Sequence, residues 1–287
     1  MYRCIQCGGC EIDPKFSEQQ LHDHYQLTYF RRHDWELRKS RLLAHDYLKK
    51  IRCQGFRALQ SMTCLEIGSG YGHSAQLVAP SVSIYDAIEP SADCRNYIGA
   101  QRVPIQTMAR TVDELPANRS YDVIFAFHVV EHFQRMSEFL ATIRSKLKPG
   151  GHAWFITPNG ASGTFVRYMA KWGWACPEQH FQFASHTIPG EYYEKFHLKP
   201  SVVRDLQPHP VHYPSRVHAA LLSQSEAESH YSLINSIKKA ISRLFLQNSR
   251  RSLVVLRLEK WIASLLPTRP FDELLVCLTR TSDSKTL

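Results

Sequence analysis

An α/β fold on an open parallel sheet is predicted by three features of the stretch between residues 62 and 156. Short apolar runs alternate with helical stretches, a glycine-rich turn (GSGYG) follows the first run, and an acid, Glu89, closes the second. Strands covered on both faces by crossover helices read as near-continuous apolar runs, and such sheets bind ligands where the strands end in carboxyl-terminal loops.

The elements follow in order. Ser17 with Gln20 three residues on makes a capping-box start to a helix. Asp34 opens a second helix running to about Arg52, with Leu37, Ala44, Tyr47, Leu48 and Ile51 on one face and Arg38, Lys39, Lys49 and Lys50 on the other. The apolar runs are then TCLEI, SVSIYDAIE, VPIQTM, YDVIFAF and HAWFI. Between the last two, a helix is expected from Met136 to Leu147, ended by Lys148, Pro149, Gly150 and Gly151.

Glycines at alternate positions, Gly68, Gly70 and Gly72, let a ligand approach the backbone at a strand-to-helix turn. A dinucleotide turn needs a third glycine at the sixth place, where this chain has His73, and a phosphate loop needs a closing Gly-Lys-Ser/Thr. Both readings fail. Glu89 lies roughly 20 residues beyond the turn, where a carboxylate can accept from both hydroxyls of a ribose.

The 287 residues carry a formal charge of +9 and eight cysteines scattered from position 4 to 277. Scattered thiols without an apolar leader predict an intracellular, cytoplasmic protein, and the basic balance favours an acidic partner.

Four segments, LEIGSGYG, AIEPS, YDVIFAFHVVEHF and LKPGGHAWFITPN, resemble in order and spacing the class I S-adenosylmethionine-dependent methyltransferases, in particular the group ending its fourth strand in Glu-His. This group resembles sugar, small-molecule and quinone-biosynthesis methyltransferases. The resemblance implies a Rossmann-like core with a seven-stranded sheet, an N-terminal helical cap and a C-terminal helical insertion. It also implies S-adenosyl-L-methionine as cofactor, with Glu66 and the backbone of Gly68, Gly70 and Gly72 around its methionine part, Glu89 on the ribose and His128 on the cofactor side of the cleft. A sulfonium and an amino group without phosphate suit an acid beside the turn; the other reading of Glu66 is a cap for the following helix. HFQFASHTIPGEYYEKFHLKP resembles the segment leading into the sixth strand, and FDELLVCLTR the antiparallel seventh.

The start of the chain resembles a cysteine knuckle of some relatives. Cys4, Cys7 and Cys10 supply at most three ligands, so zinc would need a fourth from Cys53, a histidine or another chain, and no bound metal is expected. Candidate bases for removing an acceptor proton are His132, which follows Glu131, and His180. Asn159 either orients the acceptor or caps the next helix.

The resulting organisation is an incomplete knuckle over 1–12, a helical cap over 13–60, the core over 61–215, a basic amphipathic insertion over 216–269 and a closing strand and tail over 270–287. The insertion has three readings: packing on the core or a second subunit, docking on an anionic membrane surface, and nucleic-acid binding, for which no recognisable module is present. The expected acceptor is a small molecule, sugar or lipid-linked glycan, with a quinone-type phenol as the alternative. A non-catalytic cofactor-binding scaffold is the reading from another class.

Overall fold

The computed structural model describes residues 2–4, 9–11, 17, 19–20, 23, 34–58, 60–168, 174, 179–206 and 273–282. The basic insertion and Cys7 lie outside the described residues. The elements are β1 (Tyr2–Arg3), β2 (Cys10–Glu11), α1 (Asp34–Arg52), β3 (Thr63–Ile67), α2 (His73–Val78), β4 (Ile84–Ile88), α3 (Ala92–Ala100), β5 (Thr107–Ala109), β6 (Tyr121–Phe127), α4 (Met136–Lys146), β7 (Leu147–Pro158), α5 (Gly163–Tyr168), β8 (Gln182–Phe183), α6 (Gly190–Glu194), β9 (Leu198–Leu206) and β10 (Glu273–Arg280). Among the described residues no helix is long and apolar enough to cross a membrane.

Seven strands form one sheet in the order β5-β4-β3-β6-β7-β10-β9. The first five are parallel, and β10 runs antiparallel to both β7 and β9. The chain winds outward from β3 to β5 and returns to β6, so the strand order reverses between β3 and β6. That reversal opens a crevice beyond their carboxyl ends, which is where the glycine turn sits.

Alternation along each strand sorts side chains to two cores. Leu65, Ile124, Ala126, Phe155, Leu274 and Val276 pack on one face with Phe139, Leu140 and Ile143 of α4. Cys64, Tyr85, Val123, Phe125, Trp154, Ile156 and Leu275 pack on the other with Tyr47, Leu48 and Ile51 of α1 and Ala75 and Val78 of α2. Burial on both faces is why the strands lack a polar alternate row and read as unbroken apolar runs.

Local signals held in most places. Ser17 N–H donates to Gln20 Oε1 at 2.8 Å and Gln20 N–H to Ser17 Oγ at 3.2 Å, a closed capping box. Helix α1 has the expected ends, with Ala44, Tyr47, Leu48 and Ile51 buried. Two expectations change. The run VPIQTM yields a strand only over Thr107–Ala109. The helix after Met136 stops at Lys146, and the residues read as its terminator open β7 instead. Tyr121 pairs with Leu147 and Val123 with His152, so residues 148–151 stand opposite Asp122 alone. Gly150, at φ 77°, makes that bulge, and a side chain at Gly151 would meet backbone oxygens of Lys148 and Asp122 at 2.9 and 3.0 Å.

A smaller sheet, β1-β2-β8, ties the amino terminus to the segment after β7. Cys10 pairs with Phe183 in that sheet and is buried in an apolar cluster with Phe165 and Phe183. Cys4 is exposed.

Gly72 sits at the amino end of α2 at φ 71°, and a Cβ there would fall 2.8 Å from Ile98 Cγ1 of α3. Gly72→Ala therefore combines left-handed strain with a clash, and should cost roughly 1–3 kcal/mol in urea-induced unfolding; an unchanged midpoint would refute this packing role.

Candidate functional site

The carboxyl ends of β3, β4 and β6 open into a cavity of about 690 Å³, walled on one side by α1. Of the residues singled out in the sequence, Glu66, Gly68, Gly70, Glu89, His128 and His132 line it. Gly72 and His180 are not among the lining residues. Gly72 lies at the amino end of α2, where a side chain would meet Ile98 of α3. Asn159 is buried, donates to Asp205 Oδ1 at 2.9 Å and accepts from Ala161 N–H at 3.0 Å, a turn and packing role outside the cavity lining.

The turn is built by backbone. Gly68 and Ser69 N–H both donate to the Ile88 carbonyl, at 2.8 and 3.1 Å, which locks β3 to β4 at their ends. Gly68, Gly70 and Gly72 all have positive φ. A Cβ on Gly68 would lie 2.5 Å from Val129 Cγ2, whereas one on Gly70 would meet nothing within 4 Å. The turn thus presses on the core at Gly68 and leaves open space over Gly70.

Two acids face that space. Glu89 accepts from Gly70 N–H at 2.7 Å and from Ser91 N–H at 2.8 Å, so it bridges the turn and the start of α3. Burial pushes its pKa up to about 7, against the lowering effect of those two N–H groups and of Arg95. Glu66 accepts from the Tyr85 hydroxyl at 2.9 Å. Burial, reinforced by the charge of Glu89 and only partly offset by hydrogen bonds from Tyr85 and Ser74, raises it to about 8. A cavity with two buried, acceptor-rich acids suits a ligand bringing hydroxyls and positive charge, and repels phosphate. These residues fit the amino group, sulfonium and ribose hydroxyls of S-adenosylmethionine.

Beyond β6 the chain turns at His128, which holds a left-handed φ of 54°. Its Nδ1 lies 3.1 Å from Glu131 Oε1, and its Nε2 lies 2.7 Å from the Tyr47 hydroxyl and 3.3 Å from Glu273 Oε1. Burial alone would lower its pKa, but Glu131 and Glu273 outweigh that and raise it to about 9. His128 is therefore an imidazolium between two fully buried carboxylates, and it stacks on Trp174 at 4.8 Å. Burial would likewise raise Glu131, yet His128 chiefly, with His132 and His180, holds it at about 2.

Tyr47, Glu273 and Trp174 were not singled out for this site. Tyr47 read as one more residue on an apolar helix face, and Glu273 as part of a strand. One signal was available: an acid heading an all-apolar run, ELLVC, must be buried and so must find a cationic partner.

His132 donates from Nδ1 to the Gln179 carbonyl at 2.8 Å, which places its lone pair on Nε2. Burial lowers its pKa to about 4 despite Glu131, leaving it neutral and a weaker base than its position in the sequence suggests. His180 is buried behind it, with ring centroids 4.9 Å apart.

The family described as "Methyltransferase domain" matches residues 30–188, more than half of the chain. Among curated proteins, the Ubiquinone biosynthesis O-methyltransferase of Rickettsia akari is 26% identical over 157 residues, covering 51% of this chain and 61% of its own length. That of Rickettsia canadensis is 25% identical, covering 52% and 66%. The chain thus spans less than two thirds of these relatives. Among solved structures, an S-adenosylmethionine-dependent methyltransferase of Mesorhizobium loti aligns over 81% of this chain and 96% of its own at 13% identity, with a TM-score of 0.50. A Galdieria sulphuraria protein described as a candidate sarcosine dimethylglycine methyltransferase aligns over 83% and 84% at 15% identity, with a TM-score of 0.54. These likenesses establish the fold, which is that of the class I S-adenosylmethionine-dependent methyltransferases.

The two raised acids make a test of the ligand-free site. Between about pH 4.5 and 8 the folded chain holds protons on Glu66 and Glu89 that the unfolded chain has released, so stability falls as pH rises through that window. The double variant Glu66→Gln/Glu89→Gln should flatten the difference in urea-unfolding free energy between pH 5 and pH 8. His128 adds a slope of the same sign at higher pH in both proteins; equal slopes in variant and parent would contradict the burial of these acids.

Proposed function

Because this chain belongs to the methyltransferase-domain family, we propose that it is an S-adenosylmethionine-dependent methyltransferase acting on a hydroxyl of a small acceptor, with a quinone-type phenol as first choice. One observation carries the reading: Glu66 and Glu89, both buried, converge with the Gly68–Gly70 turn on one cavity at the switch point of the sheet. Glu89 would hold the ribose hydroxyls, Glu66 the cationic methionine end, and the open side of Gly70 admits the cofactor against the backbone. The cofactor supplies an activated methyl group on a sulfonium, so the chain's own work is to bind, orient, exclude water and handle one proton.

The acceptor side supports a planar ring. Tyr47, Tyr71, Phe127, Phe133 and Trp174 line the same cavity, and the neutral imidazole of His132 lines it as well, which supports His132 as the base for an acceptor hydroxyl. The curated relatives named as O-methyltransferases of ubiquinone biosynthesis favour a phenol over a sugar or glycan.

Calorimetric titration with S-adenosylmethionine should give binding in the tens of micromolar or tighter, about −6 kcal/mol, tightening as pH rises through 7 because Glu89 accepts better when ionised. Glu89→Gln should weaken it by roughly 10- to 100-fold, the value of hydrogen bonds to a charged group. Folded protein that binds no cofactor would refute the reading.

A screen of catechol-type phenols against sugars, followed by S-adenosylhomocysteine release, tests the acceptor. Turnover with a phenol is expected. Turnover with sugars alone would replace the phenol by the glycan reading, and cofactor binding without any turnover would favour the scaffold.

A further inference from the structure

Of the two acids that face the glycine turn, Glu89 takes its donors from the backbone, whereas Glu66 takes one from a side chain that does not itself line the cavity. We propose that this side chain, Tyr85, is a positioning residue for the methyl donor: its hydroxyl holds the Glu66 carboxylate in the orientation that receives the cationic methionine end of S-adenosylmethionine. The role rests on the S-adenosylmethionine reading above.

Strand register sets the placement. In the parallel pair β3–β4, Tyr85 stands opposite Cys64 and Ala87 opposite Glu66. Side chains two residues apart share a face, so Glu66 projects with Cys64 and Tyr85 into the core beneath α1 and α2. The Tyr85 ring starts one row below Glu66 and spans that step along the strand, so that its hydroxyl donates to Glu66 Oε2 at 2.9 Å. Both residues are buried. Phenylalanine would fill the same space and leave the acid short of a donor, and serine or threonine would not reach it.

The charges agree with the geometry. Burial pushes Glu66 up to about 8, and of the two hydroxyls that work against this, those of Tyr85 and Ser74, Tyr85 has the larger effect. Burial first, and the charge of Glu66 second, raise the phenol well above its ordinary value, so it stays a donor. Cys64 beside it is held up to about 12, chiefly by burial, and stays neutral. A hydroxyl that donates favours the ionised acid, which is the form that attracts an ammonium and a sulfonium. Because the hydroxyl is in place before the ligand arrives, the acid is not reordered when the cation binds.

The test is calorimetric titration of the full chain with S-adenosylmethionine from about pH 7 to about pH 9, the window that brackets Glu66, for the parent, Tyr85→Phe and Glu66→Gln, with folding checked by circular dichroism. Tyr85→Phe should weaken binding by about tenfold at pH 7, the value of a hydrogen bond to a charged group, and by only about twofold at pH 9, where Glu66 ionises without help. Without its donor the acid keeps its proton to higher pH, so the loss shrinks as pH rises. Lys39 and Tyr47 of α1, His73 of α2, Glu89 after β4 and His128 after β6 face the same cavity, and the amino group of the cofactor titrates in the same range. All of these are common to parent and variant and cancel in the ratio of affinities. In a Glu66→Gln chain, Tyr85→Phe should add no further pH-dependent loss. A loss of equal size at every pH would overturn the positioning role. If Tyr85→Phe does not fold, fluorotyrosine placed at position 85, a stronger donor of nearly the same shape, decides: it should tighten binding at pH 7, and unchanged or weaker binding overturns the proposal. Binding that Glu66→Gln weakens and Tyr85→Phe leaves unchanged removes this inference and leaves the cofactor reading standing, whereas no binding by the folded parent removes both.

Discussion

The ion triad Glu131–His128–Glu273 is the constraint on which the rest of this site depends. Two carboxylates without exposure at the ends of a sheet would be prohibitive alone, and one imidazolium between them makes both tolerable. The triad joins parts of the chain that are far apart in sequence. Glu131 follows β6, Glu273 begins β10, and Tyr47 and Lys50 bring α1 to the same point, Lys50 Nζ lying 3.6 Å from Glu273 Oε2. Removing one member would strand a buried charge, an effect on the order of 3–5 kcal/mol. His128 holds a left-handed φ of 54° at this turn, and the His128 N–H to Ile156 carbonyl bond at 2.7 Å fixes it there.

The two halves of the cavity handle charge in opposite ways. On the glycine side, Glu66 and Glu89 are buried without an imidazolium between them, and their pKa values rise. On the Glu-His side, Glu131 is buried with cationic company, and its pKa falls. The same residue type therefore serves two purposes within one cavity: acids poised to be compensated by a cationic ligand, and an acid already compensated by the protein. A ligand carrying positive charge is drawn to the first pair and finds no excess negative charge at the second.

Local features of the fold were legible because each depends on neighbours in sequence. The capping box at Ser17, the amphipathic α1, the five apolar runs and the glycine turn all express period or turn chemistry within a short window. Gly72 has a packing constraint that no short window shows: a side chain there would meet Ile98, which only α3 brings near. The same holds for Lys148–Gly151, read as a helix end and found as a bulge opposite Asp122. Glu273 lies 226 residues from Tyr47, and no periodicity connects them. Its burial at the head of an apolar strand was readable; its partner was not.

Helix α1 is accordingly part of the site and not an addition to it. Its apolar face packs on the sheet through Leu48 and Ile51, while Lys39, Ser40, Leu43 and Tyr47 form a cavity wall. Ser40 Oγ lies 3.0 Å from His73 Nδ1 at the start of α2, so the helix also touches the element that follows the glycine turn. A core made of the sheet alone would expose Glu273 and His128 to water, and the triad would lose the low dielectric that gives its charges their strength. The cap thus sets the electrostatics of this wall of the cavity as well as its shape, and the family match, which begins at residue 30, takes in α1 together with the sheet.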